Sequence, residues 1–370
     1  MSRAVGPVPG AVRADDLGAF CAAVFEAAGV PAKVARIVAD SLVCADLRGV
    51  DSHGVLRLPI YLRRVAEKMI DVAAEPRIER DEGATVRIDG GNNFGAYVGQ
   101  RALEVALDRA GRHGVACVGV RASNHFGTAA YFAEQATAIG LAAMVMSNAS
   151  QTMPPTGGLR PFIGTNPLAI AFPTREGAPF LLDMATSHVA RGKILSAAKK
   201  GDSIPLGWAI DKAGRPTTDA QAALDGAVLP VGGAKGSGLS MAIDILSGVL
   251  TGAGYGPHIR NMYEDWNEPQ NVGHFFFVLD ISRFLPLAMF TERLADYVAL
   301  LRAEPKADGF SEILYAGEHE HRLAQARRAN GIVLPPALIE ELSALGAGKG
   351  IAWPASIPGA PGNGKVAAKV

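Results

Sequence analysis

Five short apolar runs constrain the fold of this chain most: residues 115–120, 141–146, 167–172, 180–183 and 273–280. Each is closed by polar or glycine residues, the pattern of strands buried on both faces. Apolar residues at helical spacing lie between and around them. Val34, Ile37, Val38 and Leu42 follow Pro31, Asp15 or Asp16 caps a helix reaching about residue 28, and residues 96–111, 128–139 and 238–250 continue the pattern. Residues 85–88 read as a strand before the turn Asp89-Gly90-Gly91, and further helices are expected at 286–302, 320–330 and 335–345. Helices and strands in this order predict an α/β protein with a central sheet.

At 370 residues the chain can bury a large core, and cores of this size divide into two lobes. Its 36 basic residues balance 36 acidic ones, so no long-range field draws it to nucleic acid or to an anionic membrane, and a small-molecule partner is favoured. Cys21, Cys44 and Cys117 form no C-x-x-C pair, which argues against a disulfide framework or zinc site and for a reducing cytoplasm. Residues 1–13 lack the apolar stretch of an export signal, and no eighteen apolar residues run together. A cytoplasmic protein that does not span a membrane is expected. The Gly-, Pro- and Ala-rich residues 351–370 read as an irregular tail.

The segment Asp51-Ser52-His53-Gly54-Val55-Leu56-Arg57-Leu58-Pro59-Ile60-Tyr61 places an imidazole, a guanidinium and a phenol four residues apart. On a helix that spacing puts His53, Arg57 and Tyr61 on one stripe, with Ser52 beside them. Arg57 can hold a carboxylate through two parallel hydrogen bonds, Tyr61 can add a third, and His53 can exchange a proton near neutral pH. Pro59 is compatible only with a first helical turn, so the helix is expected to start near Val55 or Leu56, with His53 just before it. Equally, Ser52 and His53 can shape a plain helix start, and Arg57 can form an ion pair with Asp51 or Glu67.

Ser123-Asn124-His125-Phe126-Gly127 follows one expected strand and precedes the helix at 128–139. Ser123 or Asn124 can cap that helix, whose positive end would keep His125 neutral and able to accept a proton. A neutral histidine of that kind suits alcohol oxidation, where a base takes the hydroxyl proton as hydride leaves. An ordinary histidine in a strand-to-helix turn fits the position as well. His113, His188, His319 and His321 read as turn or surface residues, and no H-E-x-x-H metal pattern occurs. Neither G-x-G-x-x-G nor a P-loop is present. Gly232-Gly233-Ala234-Lys235-Gly236 leads into a helix, and its N–H groups with Lys235 can meet a phosphate.

Taken together, Asp51-Ser52-His53-Gly54 with Arg57 and Tyr61, Ser123 to Gly127, Gly164-Thr165-Asn166-Pro167-Leu168, Asp183-Met184-Ala185-Thr186-Ser187, Gly207-Trp208-Ala209, Pro216-Thr217-Thr218-Asp219, Lys235-Gly236 and Gly273-His274-Phe275-Phe276 resemble the type-2 malate/L-lactate dehydrogenase family. The likeness runs from about Asp15 to Leu345. It implies a non-Rossmann α/β fold with a central mixed sheet, flanking helices, and a helical lobe built from both chain ends. It also implies NAD- or NADP-dependent interconversion of a small 2-hydroxy acid and its 2-oxo acid, in a homodimer. By the same resemblance His125 is the acid/base, assisted by His53 and Ser52, and Arg57 and Tyr61 bind the substrate. The cofactor is expected at His53, Asp183, Met184, Ala185, Lys193, Lys235, Gly317, Glu318 and His319.

The corresponding domains are a helical, substrate-site segment at 1–110, a cofactor-binding sheet domain at 111–285, and C-terminal helices at 286–350 packing on the N-terminal lobe. Imine-reducing relatives carry an aspartate where this chain has Lys193, which favours hydroxy acid chemistry. A reductase of a cyclic imine carboxylate or a diketo sugar acid is the alternative. The residue types do not choose between NAD and NADP.

Overall fold

The computed structural model describes residues 11–357; expectations for residues 1–10 and for 358–370 of the tail lie outside them. The chain begins with β1 (Ala11–Val12), α1 (Ala14–Glu26) and α2 (Ala32–Leu47). Two single 3-10 turns, Asp51–His53 and Val55–Arg57, lead into α3 (Leu58–Ala66). Then come β2 (Arg77–Glu82), β3 (Thr85–Asp89), α4 (Gly95–His113), β4 (Val115–Ser123) and α5 (Ala130–Thr137). β5 (Leu141–Ser147), β6 (Leu168–Phe172) and β7 (Phe180–Met184) precede α6 (Arg191–Lys200), β8 (Ala209–Ile210), β9 (Pro216–Thr217), α7 (Ala220–Asp225) and β10 (Ala227–Val228). α8 (Ala234–Asp244) runs on into a wider π turn, Ile245–Val249, before β11 (Val272–Asp280) and α9 (Leu287–Ala303). α10 (Glu318–Asn330), β12 (Ile332–Val333) and α11 (Pro336–Ala347) end the described chain.

Two compact units result. One joins the residues up to Lys68 with those from Glu318 onward; the other is Met69–Gly317. In the first, β1 pairs antiparallel with β12, Ala11 opposite Val333, which ties the C-terminal segment to the N-terminal helices. α1 packs on α2, α2 on α10, and α11 on α1 and α3. Leu17, Phe20, Val24 and Phe25 form the buried face of α1, and Phe20 meets Trp353 edge-on at 4.9 Å. The helical lobe expected from both chain ends is therefore present. Asp15 and Asp16 do not cap α1: Arg13 holds the N-cap position, and both acids lie in the first turn, where they favour the positive helix end.

The second unit carries a seven-stranded mixed sheet in the order β2-β3-β4-β11-β5-β6-β7. Every neighbouring pair is antiparallel except β3 with β4. This pairing is unlike the parallel, doubly wound Rossmann sheet. α4 packs on β4 and β11, and α5 on β5 and β6. Phe132 and Phe276 meet edge-on at 5.6 Å in that layer. The three-stranded sheet β10-β8-β9 with α6 and α7 encloses a separate small core of Val189, Ile194, Ile204, Ala209 and Val228.

The division differs from the expected segments in two places. Residues 69–110 fold with the sheet, because β3 is hydrogen-bonded to β4, β2 to β3, and α4 covers the same strands. α9 also belongs to the sheet unit, where Phe290 packs near Phe172 with ring centroids 6.2 Å apart. No described helix is long and apolar enough to cross a membrane.

Candidate active site

In the first unit, the end of α2 organises the segment that follows it. Asp46 is buried, and its Oδ2 accepts the Val55 N–H at 2.8 Å. Arg327 Nη1 donates to the Asp46 carbonyl and to Asp51 Oδ1, the latter at 2.8 Å. Asp51 is thus paired with a residue of α10, which no local spacing indicated. Ser52 Oγ and His53 Nδ1 are 2.9 Å apart, and Arg57 Nε donates to the Ser52 carbonyl at 2.8 Å. The half-buried His53 ring is pulled down to a pKa of about 4, by burial first and the Arg57 charge second, so it is neutral at pH 7.

The single stripe expected for His53, Arg57 and Tyr61 is interrupted. Gly54 is extended, with φ −84° and ψ −155°, and separates the turn holding His53 from the turn holding Arg57. Only Arg57 and Tyr61 keep a helical step, since α3 starts at Leu58 with Pro59 in its first turn. Tyr61 is buried and Arg57 is partly exposed. Glu318 and His319 open α10; Glu318 is buried and pairs with Arg322, while His319 is half-exposed.

In the second unit, His125 lies on a loop anchored at successive residues. Asn124 Nδ2 donates to the Asn92 carbonyl at 3.1 Å, to Asn92 Oδ1 at 2.9 Å and to the Asn93 carbonyl at 3.0 Å. The His125 N–H donates to Gln270 Oε1 at 3.3 Å. Gly127 N–H approaches His125 Nδ1 at 3.4 Å, too long to dictate a tautomer. Phe126 stacks on His274 with centroids 4.5 Å apart and planes 8° from parallel.

Neither Ser123 nor Asn124 caps the next helix. α5 starts at Ala130, five residues beyond His125, with Ala129 as its N-cap. Its positive end is met by Asp183 Oδ2, which accepts the Ala130 N–H at 3.2 Å. The helix-dipole argument therefore belongs to Asp183 rather than to His125.

His274 is the residue most under-read from sequence. It is fully buried, with Nε2 2.8 Å from Ser123 Oγ and Nδ1 2.9 Å from Ser147 Oγ. Burial lowers its pKa to about 3, so it is uncharged. Within the apolar run of β11 nothing local distinguishes it from a core residue.

Of the expected cofactor residues of this unit, all but Lys193 lie on β7, follow it, or are joined to it by backbone hydrogen bonds. Asp183 and Met184 end that strand, and Ala185 follows. Thr186 Oγ1 donates to the Thr165 carbonyl at 3.0 Å, and the Val231 N–H donates to the Thr186 carbonyl at 2.9 Å. The strand end is thereby joined to the turn Gly232-Gly233, both glycines at positive φ, and to Lys235 in the first turn of α8. Along β7, the Leu181 N–H donates to the Ala316 carbonyl at 2.9 Å, and Gly317 adopts φ 89°. A Cβ there would lie 2.8 Å from Leu181 Cβ, so close approach requires glycine. Lys193 is exposed in the first turn of α6, on the small three-stranded subdomain.

A malate/L-lactate dehydrogenase family model matches residues 12–343. Malate dehydrogenase of Pyrococcus horikoshii is 39% identical over 89% of this chain and 92% of that protein. Chromohalobacter salexigens (2R)-3-sulfolactate dehydrogenase (NADP(+)) is 36% identical over 87% of this chain and 94% of its own length. Escherichia coli O157:H7 ureidoglycolate dehydrogenase (NAD(+)) is 35% identical over 82% and 87%. The crystal structure of Entamoeba histolytica malate dehydrogenase superposes with a TM-score of 0.89 at 32% identity, covering 93% of this chain and 99% of that one. The family match spans both compact units and nearly the whole described chain, and on that ground this chain belongs to the malate/L-lactate dehydrogenase family.

Proposed function

We propose that this protein interconverts a small 2-hydroxy acid and its 2-oxo acid with NAD or NADP, His125 serving as the acid/base. The observation that carries the reading is the anchoring of the His125 loop by Asn124 and Gln270, within a chain of this family. A proton-transfer group has to be held in place, because small misplacements are costly in rate. A nicotinamide held there would supply the hydride acceptor or donor. In the oxidising direction His125 takes the hydroxyl proton as the carbonyl forms; in the reducing direction it returns that proton to the carbonyl oxygen.

Arg57 grips the substrate carboxylate, with its guanidinium oriented by the Ser52 carbonyl, and Tyr61 supports it. Neutral His53, paired with Ser52, borders the substrate or cofactor as a hydrogen-bonding group. Asp183, Met184, Ala185, Lys235, Gly317, Glu318 and His319 hold the cofactor, with Lys193 a further contributor. The fit is chemical: open positive-φ glycines at a helix start beside Lys235 suit a phosphate.

The active form is a homodimer. The reading is supported by α9, a 17-residue helix with no buried residue that exposes Met289, Tyr297 and Leu300. Helices of this composition are stable when an apolar face is covered. The cytoplasm is the compartment that suits three cysteine thiols.

Purified protein assayed with NADH and NADPH against pyruvate, oxaloacetate, sulfopyruvate and a cyclic imine carboxylate tests the reading. Turnover of a 2-oxo acid, largely lost in His125→Ala while cofactor binding survives, is the expected result. Turnover of the imine alone would replace it with the reductase alternative. Tight cofactor binding without turnover of any of the four would overturn both. Light scattering checks the dimer.

A further inference from the structure

His274 joins the ends of three adjacent strands. Its own strand, β11, lies between β4 and β5, and its ring bridges Ser123 at the end of β4 to Ser147 at the end of β5. Hydrogen-bond capacity orients the bridge. Ser147 Oγ has two backbone carbonyls to donate to, Asn148 at 3.0 Å and Gly273 at 3.2 Å, so it is free to accept from Nδ1–H. Ser123 Oγ has only the Asn124 carbonyl at 3.5 Å as another acceptor, so its best donation is to His274 Nε2. A neutral ring protonated on Nδ1 satisfies every group, which a buried polar cluster requires.

The same ring lies flat against Phe126, the residue after His125, and Ser123 stands two residues before it. We propose that His274 is a positioning residue: by bonding Ser123 and stacking on Phe126, it holds the backbone on both sides of His125 and fixes where that imidazole points. This rests on His125 being the acid/base. His274 itself is fully buried and meets the reaction only through that loop.

Three measurements test the assignment. Long-range proton–nitrogen NMR of the unaltered protein should find the His274 ring neutral and protonated on Nδ1 from pH 5 to 9; an Nε2–H ring or an imidazolium would overturn the bridge. Ser123→Ala removes one bond and leaves the ring and its stack. It should lower kcat by about 10- to 100-fold, with cofactor KM within twofold, and shift or broaden the His125 ring signals. His274→Phe keeps a stacking ring and loses both bonds, and should give at least the same loss in kcat.

Folded Ser123→Ala protein with kcat within twofold of the parent and unchanged His125 signals would overturn the proposal, whether or not His274→Phe folds. Failure of the underlying reading looks different. His125→Asn would then keep near-normal turnover, while the His125 ring signals would still respond to Ser123→Ala.

Discussion

A Cβ added to Gly54 would stand 1.7 Å from Asp46 Oδ1, and the other oxygen of that carboxylate accepts the Val55 N–H. The segment carrying His53 and Arg57 is seated on the end of α2 at this point, and only a residue without a side chain fits. Gly54→Ala has to displace either the buried carboxylate or the segment, at a cost of about 1–3 kcal/mol. Lower thermal stability and a raised KM for the 2-oxo acid are expected, with cofactor KM little changed. Thermal melts and steady-state kinetics check both.

Asp46 also gives this segment a pH dependence. Burial, with Asp51 adding to it, pushes its carboxyl from 3.8 up to about 7 against the opposing Val55 hydrogen bond and Arg327. The folded protein keeps this proton to higher pH than the unfolded chain does. Its stabilising contribution is therefore complete below about pH 4 and lost as pH rises to about 7. Asp46→Asn retains an acceptor for Val55 and cannot ionise. Its melting temperature relative to the parent should improve steadily between pH 4 and pH 8; a constant difference would contradict the account.

His53 has the opposite sign. Its pKa of about 4 in the folded protein lies below the ordinary 6.5, so the stability it contributes is present above pH 6.5 and lost on acidification toward pH 4. His53→Gln should soften that acid limb in melts. In kinetics the same low pKa removes His53 as the source of any inflection between pH 6 and 9. Such an inflection should persist in His53→Gln.

The strands β4, β5, β6, β7 and β11 were legible because each is a compact apolar run, and α2 and α4 because their buried residues keep helical period. β2 was not, since Arg-Ile-Glu-Arg-Asp-Glu is exposed along its whole length and shows no alternation. β1 and β12 are two residues each, too short for any period, yet they pair the segment before α1 with the segment before α11. In the site, the residue types around His53 and His125 were readable, and their settings were not. Asp46 to Val55, Asp51 to Arg327 and Ser147 to His274 are contacts across 9, 276 and 127 positions. Periodicity tells which face of an element is buried, whereas the partner on that face comes from topology.

Gly317 presses on β7, and its φ of 89° is strained for any L side chain. Gly317→Ala should cost about 1–3 kcal/mol through backbone strain and contact with Leu181. Since the Leu181 N–H bonds the Ala316 carbonyl two residues before Asp183, the strand end proposed to meet the cofactor should move with it. A lower melting temperature together with weaker NADH or NADPH binding, measured by fluorescence titration, is expected. Unchanged affinity in a folded variant would remove this turn from the cofactor site.

Lys235 and Lys193 make a paired test of how phosphate is held. Both lie in the first turn of a helix, but only Lys235 follows two glycines at positive φ with open space around them. An ammonium and exposed N–H groups can converge on one anion there. A charge-assisted hydrogen bond is worth about 1.5–3 kcal/mol, so Lys235→Ala should weaken cofactor binding by about 10-fold or more. The loss should shrink as salt rises, because screening already weakens the native contact. Lys193→Ala should weaken affinity several-fold less than Lys235→Ala does. The reverse order, with Lys193→Ala the more damaging, would move the phosphate contact from α8 to α6.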